Sequence, residues 1–160
     1  PEKFNFYPYY TVQQTLAFFG AMRNLESSHI ERDILKSLEL LKITELLKRK
    51  LSTLSKGQLQ RVGLASLIIG EADFFILDEP YSGVDPIGIR DVKNFIEHLK
   101  ERSKTILISS HILVEIESLC EDVILIAEGQ CLAQGKVAEL IGTGTLEDFF
   151  CKLVEGGQNV

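Results

Sequence analysis

The fold of this chain is decided by residues 74–80, which read Phe-Phe-Ile-Leu-Asp-Glu-Pro. Four consecutive apolar residues that end at a turn are typical of a strand buried on both faces of a parallel sheet. The two acids that follow, Asp78 and Glu79, are delivered at the carboxyl end of this strand. Ligand sites of open α/β sheets lie at such ends, so the stretch predicts both a fold class and the position of its chemistry.

Helix signals stand on both sides of the predicted strand. Before it, residues 55–58 read Ser-Lys-Gly-Gln, a capping box that opens a helix closing at Gly70. After it, Asp85 and Pro86 supply an N-cap and a first-turn proline for a second helix. The apolar face of that second helix carries Val92, Phe95, Ile96 and Leu99.

The same alternation continues toward the carboxyl terminus. A buried strand is predicted at residues 105–108, a helix ending near Cys120, and a third strand at residues 123–126. A turn at residues 128–129 leads into a hairpin, and an amphipathic helix begins near Leu146 and ends at two glycines. Strands that alternate with helices favour a parallel α/β layer.

The amino-terminal third reads as a small helical lobe, over residues 11–53. Capping boxes beginning at Thr11 and at Ser28 predict two helix starts, the second followed by an apolar face at helical spacing. That face consists of Ile30, Ile34, Leu38 and Leu41. The aromatic residues between Phe4 and Tyr10 have neither a helical nor a strand period, so they are predicted to form a loop.

Composition excludes several classes of function. The net charge is −6 without a dense basic run, which argues against nucleic acid as a partner. The three cysteines are widely spaced and contain no Cys-x-x-Cys pair, so neither a disulfide framework nor a zinc site is predicted, and a reducing cytosol fits best. No stretch approaches the roughly 20 apolar residues of a membrane helix.

Each candidate site residue, considered alone, has both a functional and a structural interpretation. Asp78 and Glu79 could serve Mg²⁺ and an attacking water, although two acids after a strand are common in ordinary turns. The amides around Ser55 and Gly57 could hold a phosphate, or simply open a capped helix. His111 could hydrogen-bond a phosphate oxygen or be structural.

The order of these motifs resembles the nucleotide-binding domain of ATP-binding-cassette (ABC) proteins. The four segments in that order are residues 54–61 (LSKGQLQR), 74–80 (FFILDEP), 82–86 (SGVDP) and 109–111 (SSH). They resemble the signature motif, the Walker B strand with its catalytic glutamate, the D-loop and the switch histidine of that family. The resemblance implies an α/β fold, the C-terminal part of a three-layer P-loop ATPase domain with a mostly parallel sheet and an all-α signature subdomain.

The resemblance also implies roles for individual residues, with ATP and Mg²⁺ as cofactors. Glu79 would activate water, and His111 would bind the γ-phosphate. Asp78 would serve the Mg²⁺ shell, joined by Glu2 at the place where the family usually has a glutamine. The γ-phosphate of an ATP on the opposite subunit would meet Ser55, Gly57 and Gln58. Lys56, where glycine is commoner, would add a cation near that phosphate, and Asp85 would link the two sites of the dimer.

One expected motif is absent, the loop Gly-x-x-x-x-Gly-Lys-[Ser/Thr] that cradles phosphates. The nearest string, residues 129–137, has one residue too many between its glycines and a valine in place of the hydroxyl. Because it lies in a predicted turn and hairpin, we reject it. The chain is therefore expected to be a fragment that starts at the Q-loop, inactive alone, with exposed apolar faces that promote association.

Three segments are expected within this fragment. Residues 1–64 would hold the Q-loop remnant, the helical subdomain and the signature motif. Residues 65–142 would hold the Walker B strand, the D-loop and the switch histidine, and residues 143–160 a C-terminal helix and tail.

The implied partners are a second nucleotide-binding subunit and a membrane permease. The compact helical lobe favours a transporter subunit, and the tail from Leu146 to Val154 is similar to those of exporter-type ATP-binding subunits. Residues 4–10 would contact the permease, which would place the protein in the cytoplasm on the inner face of the membrane. Two alternatives stay open: a soluble ABC ATPase without a transport role, and a truncated binding module that hydrolyses nothing.

Overall fold

The computed structural model describes residues 6–157, with side chains described as far as residue 155. The chain divides into two compact units, residues 1–109 and residues 110–160. The predicted metal residue Glu2 and the start of the aromatic segment at Phe4 lie outside the described residues.

The first unit begins with a helical lobe and continues into a parallel sheet. Its elements, in chain order, are α1 (Val12–Met22), α2 (Ser27–Leu40), 3-10 turns at Thr44–Leu46 and Leu51–Thr53, α3 (Lys56–Ile68), β1 (Phe74–Asp78), α4 (Pro86–Glu101) and β2 (Thr105–Ser109). The helices α1, α2 and α3 pack on one another, α3 packs on α4, and α4 packs on β2.

Three of the predicted helix starts are confirmed by their caps. Thr11 and Gln14 form a capping box at α1, and Ser55 and Gln58 form one at α3. Asp85 caps α4, its side chain accepting a hydrogen bond from the amide of Gly88. Each cap satisfies a backbone amide that has no partner inside the helix.

The capping box predicted at Ser28 is wrong. Helix α2 begins at Ser27, two residues before the start that an N-cap at Ser28 predicts, and its N-cap, Glu26, makes no side-chain capping bond. Ser28 therefore lies inside the first turn, where its side chain cannot cap that helix. The predicted apolar face is confirmed, since Ile30, Ile34, Leu38 and Leu41 are all buried.

Arg23, which follows α1, links the end of α1 to the end of α3. The Arg23 guanidinium donates hydrogen bonds to the carbonyls of Ser66 and Ile69, at the carboxyl end of α3. Carbonyls at a helix end lack intrahelical partners and attract cations. Burial lowers the pKa of Arg23 from its usual value.

The two strands of the first unit pair in parallel, as predicted, but they are not buried on both faces. Phe75 and Leu77 are each 4% exposed, whereas Phe74 and Ile76 are 54% and 60% exposed. Ile76 pairs with Leu107 of β2, which is 53% exposed, so the uncovered face is continuous across both strands. The expectation of exposed apolar faces is confirmed here.

The second unit contains an antiparallel hairpin flanked by helices. Its elements are α5 (Leu113–Leu119), β3 (Asp122–Ala127), β4 (Gln130–Lys136), α6 (Val137–Ile141) and α7 (Leu146–Gly157). The third predicted strand forms and pairs antiparallel with β4. The rejected string at residues 129–137 is a turn residue, this strand and the first residue of α6, so it has no phosphate-loop geometry.

Candidate functional site

The centre of the site in the first unit is the carboxyl end of the parallel pair. Asp78 ends β1, and Ser109 ends β2 as its register partner. The Oγ of Ser109 donates a hydrogen bond of 2.6 Å to Oδ1 of Asp78. Because the pairing is parallel, both residues reach the same edge of the sheet.

Glu79 turns the chain away from the sheet. Its amide donates to the carbonyl of Ser109 at 3.0 Å and lies 3.1 Å from the Oγ of the same residue. Its φ of +47° is unusual for a residue with a side chain, and the turn closes when the Ser82 amide donates to the Glu79 carbonyl at 3.0 Å. A non-glycine residue in this region is held there by its surroundings, which is common at functional sites.

The loop at residues 80–85 is fastened to α3 at two points. The Gln60 side chain donates to the carbonyl of Pro80 at 3.2 Å, and the Lys56 ammonium donates to the carbonyl of Gly83. Gly83 has a φ of +61°, which favours glycine. The predicted D-loop is thus anchored on the predicted signature helix within one chain.

The loop is also packed tightly against the start of α4. A Cβ added to Gly88 would lie 2.2 Å from Cγ1 of Val84, so only glycine fits at this position. Asp85 Oδ1 accepts from the Gly88 amide at 2.7 Å. The end of the loop therefore has a defined conformation.

The amino-terminal end of α3 presents a small, open polar surface. Ser55 and Gln58 cap each other, with distances of 3.0 Å and 3.3 Å between amide and side-chain oxygen. Lys56 and Gly57 are exposed, and a Cβ added at Gly57 would meet nothing within 4 Å. Since packing does not require this glycine, its space is available to an anion approaching the first-turn amides.

A salt bridge fixes α3 against α4. Arg61 contacts Oδ2 of Asp91 through Nε at 2.7 Å and through a terminal nitrogen at 2.6 Å. Both side chains are about a quarter exposed, so the pair is only partly screened by solvent. This contact holds α3, and with it the open polar surface, in a fixed orientation to the loop that precedes α4.

The turn that carries Asp78 and Glu79, called the carboxylate turn, suits a Mg²⁺ ion that is also bound by phosphates. The described residues contain no cluster of three histidine, cysteine or carboxylate groups that could cage a metal. Magnesium bound with nucleotide phosphates needs only one or two carboxylates, with water completing its shell. Asp78 is exposed and oriented by Ser109, so the residues present can supply that kind of ligand.

The predicted site residues that the structure describes are divided between the two units. Ser55, Lys56, Gly57, Gln58, Asp78, Glu79 and Asp85 belong to the first unit. His111 is an exposed residue of the second unit, just before α5, where the Ser110 hydroxyl accepts from the Ile112 amide at 3.0 Å. A cleft of about 690 Å³ in the first unit, which His98 helps to line, contains none of the predicted site residues.

Two residues with a direct part in the geometry were not singled out from the sequence. Ser109 orients Asp78, and Gln60 holds the Pro80 carbonyl. Ser109 could have been found, since a hydroxyl directly after a predicted parallel strand lies at the same sheet edge as Asp78. Gln60 carried no such signal, because its contact depends on how α3 packs beside the loop.

Comparison with known proteins places the chain in a family context. A family model described as ABC transporter matches residues 1–82. An uncharacterized ABC transporter ATP-binding protein of Synechocystis is 34% identical over 99% of this chain and 44% of its own length. The ABC transporter ATP-binding protein NatA of Bacillus subtilis is 33% identical over 91% of this chain and 61% of its own length. The chain spans about half the length of the curated relatives it matches.

Solved structures agree with the fold. An ATP binding subunit of an ABC transporter superposes with a TM-score of 0.84, covering 96% of this chain and 66% of its own, at 24% identity. The protein cbiO1 of Clostridium perfringens, part of the ABC transporter complex cbiONQ, superposes with a TM-score of 0.71 at 29% identity, covering 83% and 53% of the two chains. None of the helices in residues 6–157 has the length and apolarity needed to cross a bilayer.

Proposed function

Because this chain belongs to the ABC transporter family of ATP-binding subunits, we propose that it carries the carboxylate and signature elements of a transport-coupled ATPase. The observation that carries the proposal is the sheet edge where Ser109 orients Asp78 and its carbonyl receives the Glu79 amide. This geometry supports the proposal that Asp78 is a metal ligand and that the next residue, Glu79, is the water-activating acid.

The proposed chemistry is in-line attack of water on the γ-phosphorus of ATP, which breaks the bond to the bridging oxygen and releases ADP and phosphate. It needs positioning and charge stabilisation but no covalent intermediate. Glu79 accepts a proton from the attacking water, and Asp78 orients the metal shell. Asp78 would hold Mg²⁺, which when bound would supply positive charge to the phosphate oxygens. His111 is proposed to contact the γ-phosphate, and Glu2 to join the metal shell.

The polar surface at the start of α3, residues 55–58, is called the α3 surface. It is proposed to bind the γ-phosphate of the nucleotide held by a second copy of the protein. Ser55, Gly57 and Gln58 offer hydrogen-bond donors at the positive end of a helix, which suits a γ-phosphate. Lys56 adds a positive charge beside it. Asp85 and its loop connect this surface to the carboxylate turn, so the two sites of the dimer are linked.

The permease contact is proposed at residues 4–10, whose described exposed aromatic residues are Tyr7, Tyr9 and Tyr10. Their side chains are 42% to 81% exposed. The backbone beneath them is fixed, since the amides of Leu51 and Ser52 donate to carbonyls of Tyr10 and Pro8 at 2.9 Å. Exposed aromatic residues on a fixed backbone are typical of a protein contact. This contact would hold the subunit at the cytoplasmic face of the membrane.

Each of the three segments of the chain is proposed to have its own role. Residues 1–64 recognise the permease and the opposite nucleotide, residues 65–142 carry hydrolysis, and residues 143–160 form the C-terminal tail.

The proposal is tested by measuring Mg-ATP binding and hydrolysis with the protein at its natural length. Glu79→Gln keeps the shape of the side chain and removes the base, so turnover should fall at least about 100-fold while ATP still binds. Glu97→Gln is the matched control, because Glu97 is an exposed residue of α4 that pairs only with Lys100 among the contacts described. Unchanged hydrolysis in Glu79→Gln would remove Glu79 from its role. Hydrolysis absent from the unsubstituted protein would favour a binding module.

A further inference from the structure

Lys56, which follows the N-cap of α3, makes a contact within its own chain that its proposed role beside phosphate does not explain. Lys56 is the first residue of α3, and its ammonium donates to the carbonyl of Gly83, 27 residues further along the chain. A Cβ added at Gly83 would lie 2.7 Å from the Lys56 Nζ, so the absence of a side chain at Gly83 admits the ammonium. The two residues therefore fit each other.

The Gly83 carbonyl shares a peptide group with the Val84 amide, which begins a short series of hydrogen bonds that leads to Glu79. The amide of Val84 donates to the Tyr81 carbonyl at 3.4 Å, and the amide of Ser82 donates to the Glu79 carbonyl at 3.0 Å. These two turns overlap at Tyr81 and Ser82, and Glu79 begins the first with a φ of +47°. A contact that fixes Gly83 thereby restricts the turn that aims Glu79.

We propose that Lys56 is a positioning residue, which fixes the loop at residues 80–85 on α3 and so keeps the Glu79 turn in its working conformation. The ammonium acts through the Gly83 carbonyl, on the same subunit. A hydrogen bond from a charged donor is stronger than a neutral one, so a single lysine is sufficient to bias a short loop. The effect of Lys56 on turnover rests on the proposed function, whereas the fastening of the loop does not.

The fastening is tested by hydrogen exchange at the amides of Ser82 and Val84 in nucleotide-free protein of natural length. Lys56→Met keeps the length of the side chain and removes the charged donor, and it should speed exchange at both amides about tenfold. Lys56→Arg should restore protection, because it also reaches with a charged donor. Lys48→Met, at an exposed lysine outside the site, is the matched control and should leave exchange unchanged.

Kinetics then separate a positioning role from a phosphate contact. If Lys56 positions the turn, Lys56→Met lowers kcat about tenfold at saturating Mg-ATP and Lys56→Arg recovers it, whereas loss of the phosphate contact is measured as a rise in KM. Unchanged exchange in Lys56→Met would overturn the fastening. Faster exchange with an unaltered kcat would overturn the role in turnover. A protein without any ATPase activity would contradict the proposed function, while the exchange result would still decide whether Lys56 fixes the loop.

Discussion

Ser109 Oγ donates to Asp78 Oδ1 at 2.6 Å, and the same hydroxyl lies 3.1 Å from the Glu79 amide. One side chain of β2 thus contacts both residues of the acid pair at the end of β1. The carboxylate oxygen that accepts this hydrogen bond is held in one direction, which leaves the other oxygen available to a metal shell.

Ser109→Ala should lower ATP hydrolysis about tenfold and raise the Mg²⁺ concentration needed for half-maximal rate. The physical reason is that Asp78 loses a short hydrogen bond, worth about 1.5–3 kcal/mol for a charged acceptor. Steady-state rates across a Mg²⁺ titration measure both quantities. Ser109→Thr retains the hydroxyl and should keep most of the activity, and a Ser109→Ala protein with an unshifted Mg²⁺ dependence would contradict this role.

Gly88→Ala should destabilise the protein by about 1–3 kcal/mol, the usual cost of forcing an extra carbon into a packed region. The added Cβ would lie 2.2 Å from Val84 Cγ1. Urea unfolding of the natural-length protein measures the loss, and adding Val84→Ala should recover part of it by removing the opposing methyl group. Gly57→Ala is the control, since its Cβ meets nothing within 4 Å and its unfolding midpoint should not fall.

The structure also predicts a pH dependence of stability at His98. Partial burial and the nearby Arg102 charge lower the pKa of His98 below 6.5, against an opposing effect of Glu101. The unfolded chain therefore binds a proton at a higher pH than the folded one, so this stability is present above about pH 6.5 and is lost as the pH falls through the folded pKa.

His98→Gln should flatten the dependence of unfolding free energy on pH between about 7.5 and 5. His29→Gln, at an exposed histidine of α2, controls for the general effect of losing an imidazole. Chemical denaturation at several pH values gives the slope, and an unaltered slope in His98→Gln would show that another group titrates.

Tyr9→Ser should release the protein from membranes without changing its stability by more than about 0.5 kcal/mol. Tyr9 is 81% exposed, so its ring contributes to a partner surface more than to the core. The fraction that sediments with host membranes measures recruitment, with ATPase activity followed in the same samples. Val114→Ser, at a residue 64% exposed in the second unit, is the matched control. Equal sedimentation of Tyr9→Ser and wild type would place the permease contact elsewhere.

Local signals predicted the helices well because capping is decided within a few residues. Thr11, Ser55 and Asp85 cap the helices that the capping patterns beginning at these residues predict. The start of α2 was missed by two residues, since the observed N-cap, Glu26, makes no side-chain capping bond, whereas the sequence offers a capping pattern at Ser28. A short-range pattern cannot choose between neighbouring starts of that kind.

The contacts that organise the site could not be predicted from short stretches of sequence, because they join residues far apart in the chain. Ser109 meets Asp78 across 31 residues of sequence, and Lys56 meets Gly83 across 27. The first follows from parallel register, which the sequence pattern implies, whereas the second depends on how closely a loop approaches a helix. The apolar run at β1 predicted burial on both faces, but Ile76 is 60% exposed. Apolar character alone does not say which face of a strand another element covers.

The central claim is that the α3 surface of one copy and the carboxylate turn of another act on the same ATP. The most direct test is to mix two inactive proteins of natural length, Ser55→Arg and Glu79→Gln, and measure Mg-ATP hydrolysis. In a two-fold dimer, the mixed pair contains one site with an intact Ser55 and an intact Glu79, so an equimolar mixture should regain up to about a quarter of wild-type activity. A mixture no more active than either variant alone would contradict the claim.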